Sequence, residues 1–261
     1  MTGVHFLDAR GPDGMRIHAI GDVHGRLDLL EEMHRRIMTG LAERPVNDWR
    51  IIHLGDYVDR GPDSRGVLDF LIAARERDPR NVMLAGNHDV GFLDFLASPR
   101  SESLFVNYGG SDTARSYGVE LGLETLEALQ RTWARLLRAV PSRHQEFLRS
   151  LPYSVSFGDF HFCHAGIRPG VALDKQTSED LIWIRGPFLN SPDLHEKVVV
   201  HGHTPAAEPE VMANRVNVDT GAYRSGVLSA LMIEGGDKQI IQVPRHSHGP
   251  SRDQVSSAAA R

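Results

Sequence analysis

Apolar positions along the chain follow two rhythms. In the first third, short apolar runs at residues 15–21, 50–55 and 81–86 read as buried strands. Between them, at 26–39 and 64–77, apolar residues recur at steps of three and four, as a helix face requires. Leu27, Leu30, Met33 and Ile37 share one such face, and Ser64 stands where the second helix needs an N-cap. This order predicts parallel strands joined by crossover helices. The middle differs. Leu126, Leu129, Trp133, Leu136 and Val140 place an amphipathic helix over 123–140, and residues 100–150 read as a helical insertion. Short strands are then predicted at 153–157, 160–164, 197–201, 215–218 and 227–233. A turn at 234–238 leads to a last strand at 239–243.

Together these elements predict one domain over residues 1–244. The remaining 245–261, polar and rich in small residues, reads as a disordered tail. Of 261 residues, 41% are hydrophobic and 24% charged, which suits a globular chain with a sizeable core. The net charge of −5 offers no basic surface to nucleic acid or to an anionic membrane. No stretch has the apolar length of a membrane span. The first residues carry Asp8 and Asp13 and no basic start before an apolar run, so a signal peptide is not expected. The single cysteine, Cys163, permits no internal disulfide and fits a reducing compartment, which predicts the cytoplasm.

Five polar clusters, each placed just behind an apolar run, carry the chemistry. They are Gly21-Asp22-Val23-His24-Gly25, Gly55-Asp56-Tyr57-Val58-Asp59-Arg60-Gly61, Gly86-Asn87-His88-Asp89, Cys163-His164-Ala165-Gly166 and His201-Gly202-His203-Thr204-Pro205. Ligands bind at the carboxyl ends of strands in open α/β sheets, so these clusters should surround one crevice. A lone Asp after a strand is usually a cap or a turn former. Five clusters mixing Asp, Asn and His are poorly explained that way. A structural zinc site would use cysteine and only four ligands. A two-metal hydrolytic site fits better.

The motifs GDVHG, GDYVDRG, GNHD, HAG and HGHTP together resemble the signature set of the phosphoprotein phosphatase branch of the calcineurin-like metallophosphoesterases. The resemblance runs from about residue 15 to residue 243. NYGGSDTARSYG, HAGIRPG, DLIWIRGPF and VDTGAY are similar to the bacterial serine/threonine phosphatase and diadenosine tetraphosphatase group. It implies an α+β or α/β fold: a four-layer α-β-β-α sandwich with a helical insertion. It also implies two divalent ions, manganese foremost, with iron or zinc suited to the same ligands. Asp22, His24 and Asp56 would hold the first ion; Asp56, Asn87, His164 and His203 would hold the second. Asp56 is then the shared carboxylate. Pro205 stands where the wider superfamily has a second histidine ligand, so His203 is the ligand and His201 completes a strand. The ions would acidify a water that attacks phosphorus in line. Arg60 and Arg185 would grip phosphate oxygens, with Arg168 and Arg115 weaker candidates. His88, oriented by Asp59, would be the general acid.

From this resemblance the expected activity is a bacterial-type protein phosphatase acting on phosphoserine, phosphothreonine or phosphotyrosine in proteins or peptides, or on a small phosphate ester. The alternative is a symmetrical diadenosine tetraphosphate hydrolase. That group typically has Gln at the position of His24 and lacks the equivalent of Asp59, which turns the expectation towards phosphomonoesters. Ala85 and Asp89, where eukaryotic phosphatases carry Arg and Glu, bear on substrate preference. A nuclease would usually keep the second histidine and show a basic track. A regulatory binding protein on the same fold would show lost ligands, and none is lost.

Overall fold

The alternation predicted for the first third is what forms. In the computed structural model, which describes residues 3–244, β1 (Met15–Ile20), α1 (Leu27–Glu43), β2 (Asp48–His53), α2 (Ser64–Arg77) and β3 (Asn81–Met83) follow one another. The three strands pair in parallel, with Ile20 opposite His53 and His53 opposite Met83. The helical stretch that follows has α3 (Asn87–Ala97), α4 (Leu104–Asn107), α5 (Gly110–Ser116), α6 (Leu126–Ala139) and α7 (Ser142–Arg149). Then come β4 (Ser154–Phe157), β5 (Phe160–Cys163), α8 (Ser178–Trp183), α9 (Gly186–Leu189), β6 (Val198–His201), β7 (Glu210–Val211) and β8 (Arg215–Asn217). α10 (Ala222–Ser225) and the hairpin of β9 (Val227–Glu234) and β10 (Asp237–Pro244) close the described chain. The predicted disordered tail lies outside the described residues.

Two five-stranded mixed sheets result, in the orders β10-β9-β1-β2-β3 and β4-β5-β6-β8-β7. Successive strand residues point to opposite faces, and this sorts the apolar residues into layers. Ile17, Ala19 and Ile52 meet Phe160, Val198 and Val200 between the sheets. Ile20 and Ile51 face outward onto Leu30 and Met33 of α1 and Leu68 and Leu71 of α2. On the far side, Cys163 and Val199 pack against Leu181 and Phe188. The four-layer expectation is met. Phe105, Tyr117, Leu136 and Phe147 of the insertion join the same cluster as the first sheet's outer face. Among the described residues, no helix is long and apolar enough to cross a membrane.

In each sheet a parallel core, β1-β2-β3 or β5-β6-β8, ends at one edge. Asp22, Asp56, Asn87, His164, His203 and Asp219 all follow those strand ends. The local prediction at α2 needs one correction. Asp63 is its N-cap, accepting from the N–H of Gly66 at 2.8 Å. The Ser64 hydroxyl instead lies 2.9 Å from that of Thr113 and accepts from the N–H of Asp59 at 3.2 Å. A tertiary partner outbid the local cap.

Asp89, in the first turn of α3, ties the ends of β2 and β3 together. Its carboxylate accepts from the backbone N–H groups of Asp56 (2.8 Å), Tyr57 (2.9 Å) and Gly86 (2.9 Å). Each orphaned buried N–H costs about 1–3 kcal/mol. We therefore expect Asp89→Ala to lose at least about 3 kcal/mol of unfolding free energy in a denaturant titration, and Asp89→Asn, which keeps one acceptor oxygen, to lose less. A loss below about 1 kcal/mol for the alanine variant would show that these loops are held by other means.

Candidate active site

The backbone at the strand ends is unusual before any side chain is considered. Five non-glycine residues among those described have positive φ, and all lie in the predicted site: His24 (42°), Asp56 (55°), Asp59 (72°), Arg60 (67°) and His203 (66°). Asp and His tolerate this region better than most residues, and Arg less well. Such conformations cost on the order of 1 kcal/mol or more each and persist where the surroundings over-determine them. Here they turn the side chains inward. Glycines make the close approach possible: a Cβ on Gly86 would collide with the backbone N and carboxylate of Asp56.

Asp56 is the centre. Its Oδ1 accepts from the N–H of His88 at 2.9 Å, while Oδ2 lies 3.4 Å from Nε2 of both His24 and His164. The tautomers of those two histidines follow from their other nitrogens. His24 Nδ1 lies 2.7 Å from the Val58 carbonyl and His164 Nδ1 lies 2.9 Å from the Leu54 carbonyl. A carbonyl only accepts, so each Nδ1 carries a hydrogen, and in the neutral form of either ring Nε2 presents a lone pair. His164 Nε2 faces Asn87 Oδ1 at 2.9 Å, and His203 Nδ1 is 3.2 Å from the same His164 nitrogen and 2.9 Å from Asn87 Oδ1. His203 Nε2 is buried with no partner among the described residues.

Converging lone pairs at these distances repel unless a positive charge sits among them. Ligand atoms held about 2.0–2.2 Å from one cation lie roughly 3.0–3.5 Å from one another, so the spacing fits a coordinated ion. Two triads of donor atoms, His24–Asp56–His88 and Asp56–His164–His203, each lie within 4.8 Å of one another, and they share Asp56. The charge balance agrees. Burial would raise the Asp56 carboxyl, but His164, His88 and His24 hold it well below the usual carboxylate range. Burial opposes charge on His164, yet Asp56 and Asp22 push it up to about 9. Burial depresses His24 to about 3 and His203 to about 2, keeping both neutral as ligands must be.

Arg60 borders the cluster: its fork lies 2.9 Å from His24 Nε2 and 2.8 Å from His88 Nε2. Tyr223 faces it, with the Arg60 Cζ 5.0 Å from the ring centroid. His88 Nδ1 is 2.7 Å from Asp59 Oδ2, and burial raises the Asp59 carboxyl. Asp59 in turn takes the Thr113 hydroxyl at 2.8 Å, while its own N–H reaches that hydroxyl at 2.7 Å. Thr113 lies on α5, so the insertion braces the His88–Asp59 pair.

The other expected residues divide. Asp22 is buried but belongs to neither triad; its oxygens accept from the His203 N–H at 3.1 and 3.2 Å. Burial and the neighbouring Asp219 push its carboxyl well above the usual range. Arg185 lies 3.4 Å from the His203 carbonyl and 3.5 Å from the Thr204 hydroxyl and lines the pocket. Arg168 is committed to Asp180 through two bonds of 2.9 and 2.6 Å, and Arg115 to Asp112 and Glu120. His201 ends β6 with Nδ1 3.0 Å from the Gly202 carbonyl. Asp219 and Thr113 were missed. Both lie in the VDTGAY and NYGGSDTARSYG segments, and Asp219 obeys the strand-end rule that found the others.

The family model described as calcineurin-like phosphoesterase matches residues 15–227. A relative from Oceanobacillus iheyensis, named as an asymmetrical bis(5′-nucleosyl)-tetraphosphatase, is 26% identical over 249 residues, covering 88% of this chain and 92% of its own. Its namesake from Geobacillus thermodenitrificans is 26% identical over 242 residues, covering 83% and 90%. A solved structure described as a putative diadenosine tetraphosphatase superposes with a TM-score of 0.63 at 21% identity, covering 88% of this chain and 93% of its own; it supports the fold alone.

Removing the shared carboxylate should test the cluster as a cation site. We expect the parent to retain divalent metal through desalting and Asp56→Asn to lose most of it, as read by elemental analysis of the same preparations. Equal metal content in the two would mean that the cluster around Asp56 is not where the metal binds.

Proposed function

Since the chain belongs to the calcineurin-like phosphoesterase family, we propose that it is a divalent-metal-dependent hydrolase of dinucleoside polyphosphates, cutting them asymmetrically. The observation that carries this reading is the end-to-end match to bis(5′-nucleosyl)-tetraphosphatases, which spans about nine-tenths of each relative. It corrects the expectation of a protein phosphatase with phosphorylated protein or peptide as partner. That expectation leaned on His24 and Asp59. In the fold, His24 turns its lone pair towards Asp56 and Asp59 orients His88. Both act through other side chains of the site and not on the substrate's leaving group, so neither discriminates a phosphoester from a phosphoanhydride. The symmetrical mode of the earlier alternative is replaced for the same reason, since the relatives are named as asymmetrical.

We read residues 1–244 as one catalytic unit acting in the cytoplasm. Asp56 and His24, with His88 beside them, flank one proposed cation position, and Asp56, Asn87, His164 and His203 surround the other, with Asp22 fixing the His203 backbone. The mixed carboxylate, amide and imidazole set suits Mn²⁺, Fe²⁺ or Zn²⁺, with Mn²⁺ our first choice. When bound, two such ions supply Lewis-acid neutralisation of phosphate oxygens and an acidified water for in-line attack on phosphorus.

The remaining work falls to side chains around a cavity of about 420 Å³ lined by Asp56, Arg60, Asn87, His88, Arg185 and His203, among others. Arg60 and Arg185 approach it from the His24–His88 side and the His203 side respectively. They can fork onto different phosphates of one polyphosphate chain. In doing so Arg60 leaves His88 Nε2, which is then free to take a proton and hold it, through Asp59, towards the leaving oxygen. A leaving nucleotide phosphate is far less basic than an alkoxide, so this proton matters less here than for a phosphoserine.

Diadenosine tetraphosphate and phosphoserine and phosphotyrosine peptides, compared at fixed Mn²⁺, provide the test. We expect the dinucleotide to show at least about tenfold higher kcat/KM and to yield ATP and AMP in equal amounts. A tenfold advantage for a phosphopeptide would overturn the substrate class, and ADP as the sole product would overturn the asymmetrical mode.

A further inference from the structure

The catalytic cavity carries two large aromatic rings that the chemistry above does not use. Trp183 is 44% exposed and Tyr108 is 60% exposed, and both line the cavity beside Arg60 and Arg185. A solitary exposed aromatic is ordinary. Two in the same pocket as two phosphate-facing arginines call for a reason. Of the other large aromatics near this region, Tyr57, Phe92, Phe105 and Phe188 are fully buried, and Tyr223, partly exposed, is already engaged by Arg60 and the His24 ring.

Each ring is fixed to one side of the site. Trp183 ends α8, two residues before Arg185, and meets the His203 ring edge to face at 6.0 Å and 86°. Its contact is with the Asp56–His164–His203 side. Tyr108 follows α4, and the next residue, Gly109, accepts the backbone N–H of Arg60 through its carbonyl at 3.1 Å. A Cβ on Gly109 would press into the Arg60 backbone, so the turn sits directly against that arginine. Tyr108 therefore belongs to the side of Arg60, His24 and His88. No ring stacks on Tyr108 among the described residues. The result is two pairs, Arg185 with Trp183 and Arg60 with Tyr108, on either side of Asp56.

Guanidinium forks bind phosphates, and aromatic faces stack on nucleobases. An arginine and an aromatic on each side match a molecule with phosphates in the middle and a base at each end. We propose that Trp183 and Tyr108 are the base-stacking residues of the site, one for each nucleoside of a dinucleoside polyphosphate. The inference rests on the hydrolase reading for its two-ended substrate, but it makes a separate claim about nucleobase binding.

That claim is tested by equilibrium binding to the full-length, Mn²⁺-loaded protein. The probes are adenosine 5′-(α,β-methylene)diphosphate and methylenediphosphonate, which share a bridge that hydrolysis does not cut and differ by the nucleoside. Stacking on one aromatic supplies roughly a 5- to 100-fold preference for the nucleoside-bearing probe. We expect that preference in the parent, its reduction in Trp183→Ala or Tyr108→Ala, and its collapse towards one in the double variant. Trp183→Phe, which keeps a ring, should retain most of it. Binding of methylenediphosphonate reports that each variant is folded. A parent without preference, or a double variant that keeps it, would overturn the proposal. The two readings fail separately. A ring-dependent preference in a protein that cleaves phosphopeptides better than diadenosine tetraphosphate would sustain the stacking site and remove the hydrolase assignment. Efficient dinucleotide cleavage with no ring dependence would do the reverse.

Discussion

A buried carboxylate oxygen equidistant from two imidazole lone pairs sets the terms for the rest of the molecule. Asp56 Oδ2 sits 3.4 Å from Nε2 of His24 and of His164, with both rings locked in that tautomer by backbone carbonyls. Burying such groups unpaired is expensive, so everything around them is arranged to hold them in place. The strand ends are forced into left-handed backbone at His24, Asp56, Asp59, Arg60 and His203. Asp89 gathers three N–H groups beneath them, and Asp22 fixes the backbone of His203. The two sheets supply the frame: six parallel strands end at one edge, three from each sheet, and each brings one or two polar side chains to the same volume.

The cluster's charges are set by its surroundings. Asp56 is held ionised and His24 and His203 neutral, the form in which each can hold a cation. Arg60 reaches His24 and His88 and also lines the cavity, so one side chain joins the cluster to the open space beside it. The helical insertion enters the same network. Thr113 on α5 holds Asp59, Asp59 holds His88, and the turn after α4 presses on Arg60.

Much of this was legible in the sequence, for a physical reason. Apolar runs of strand length followed at once by Gly-Asp or Gly-Asn leave little choice but a strand ending at a polar crevice. The parallel order and the polar clusters followed from that, while the four layers and the ligand assignments came from the resemblance to the metallophosphoesterases. Ser64 was read as a cap because a cap is a local event; its hydroxyl went to Thr113, 49 residues away, which no local pattern encodes. Asp219 and Thr113 lay in recognised segments, but their work depends on which loop meets which. His24 and Asp59 carry no information on the substrate because both are buried and turned to other side chains of the site, Asp56 and His88. The side chains that face outward, Trp183 and Tyr108, look in sequence like any other aromatics, and their exposure beside Arg185 and Arg60 appears only in the fold.

Anomalous diffraction from crystals grown with Mn²⁺, recorded at the manganese edge, reaches the central claim most directly. The account predicts two peaks flanking Asp56, one beside His24 and one between His164 and His203, with Arg60 turned away from His24. Density only at surface carboxylates, or none within coordination distance of Asp56, would contradict it.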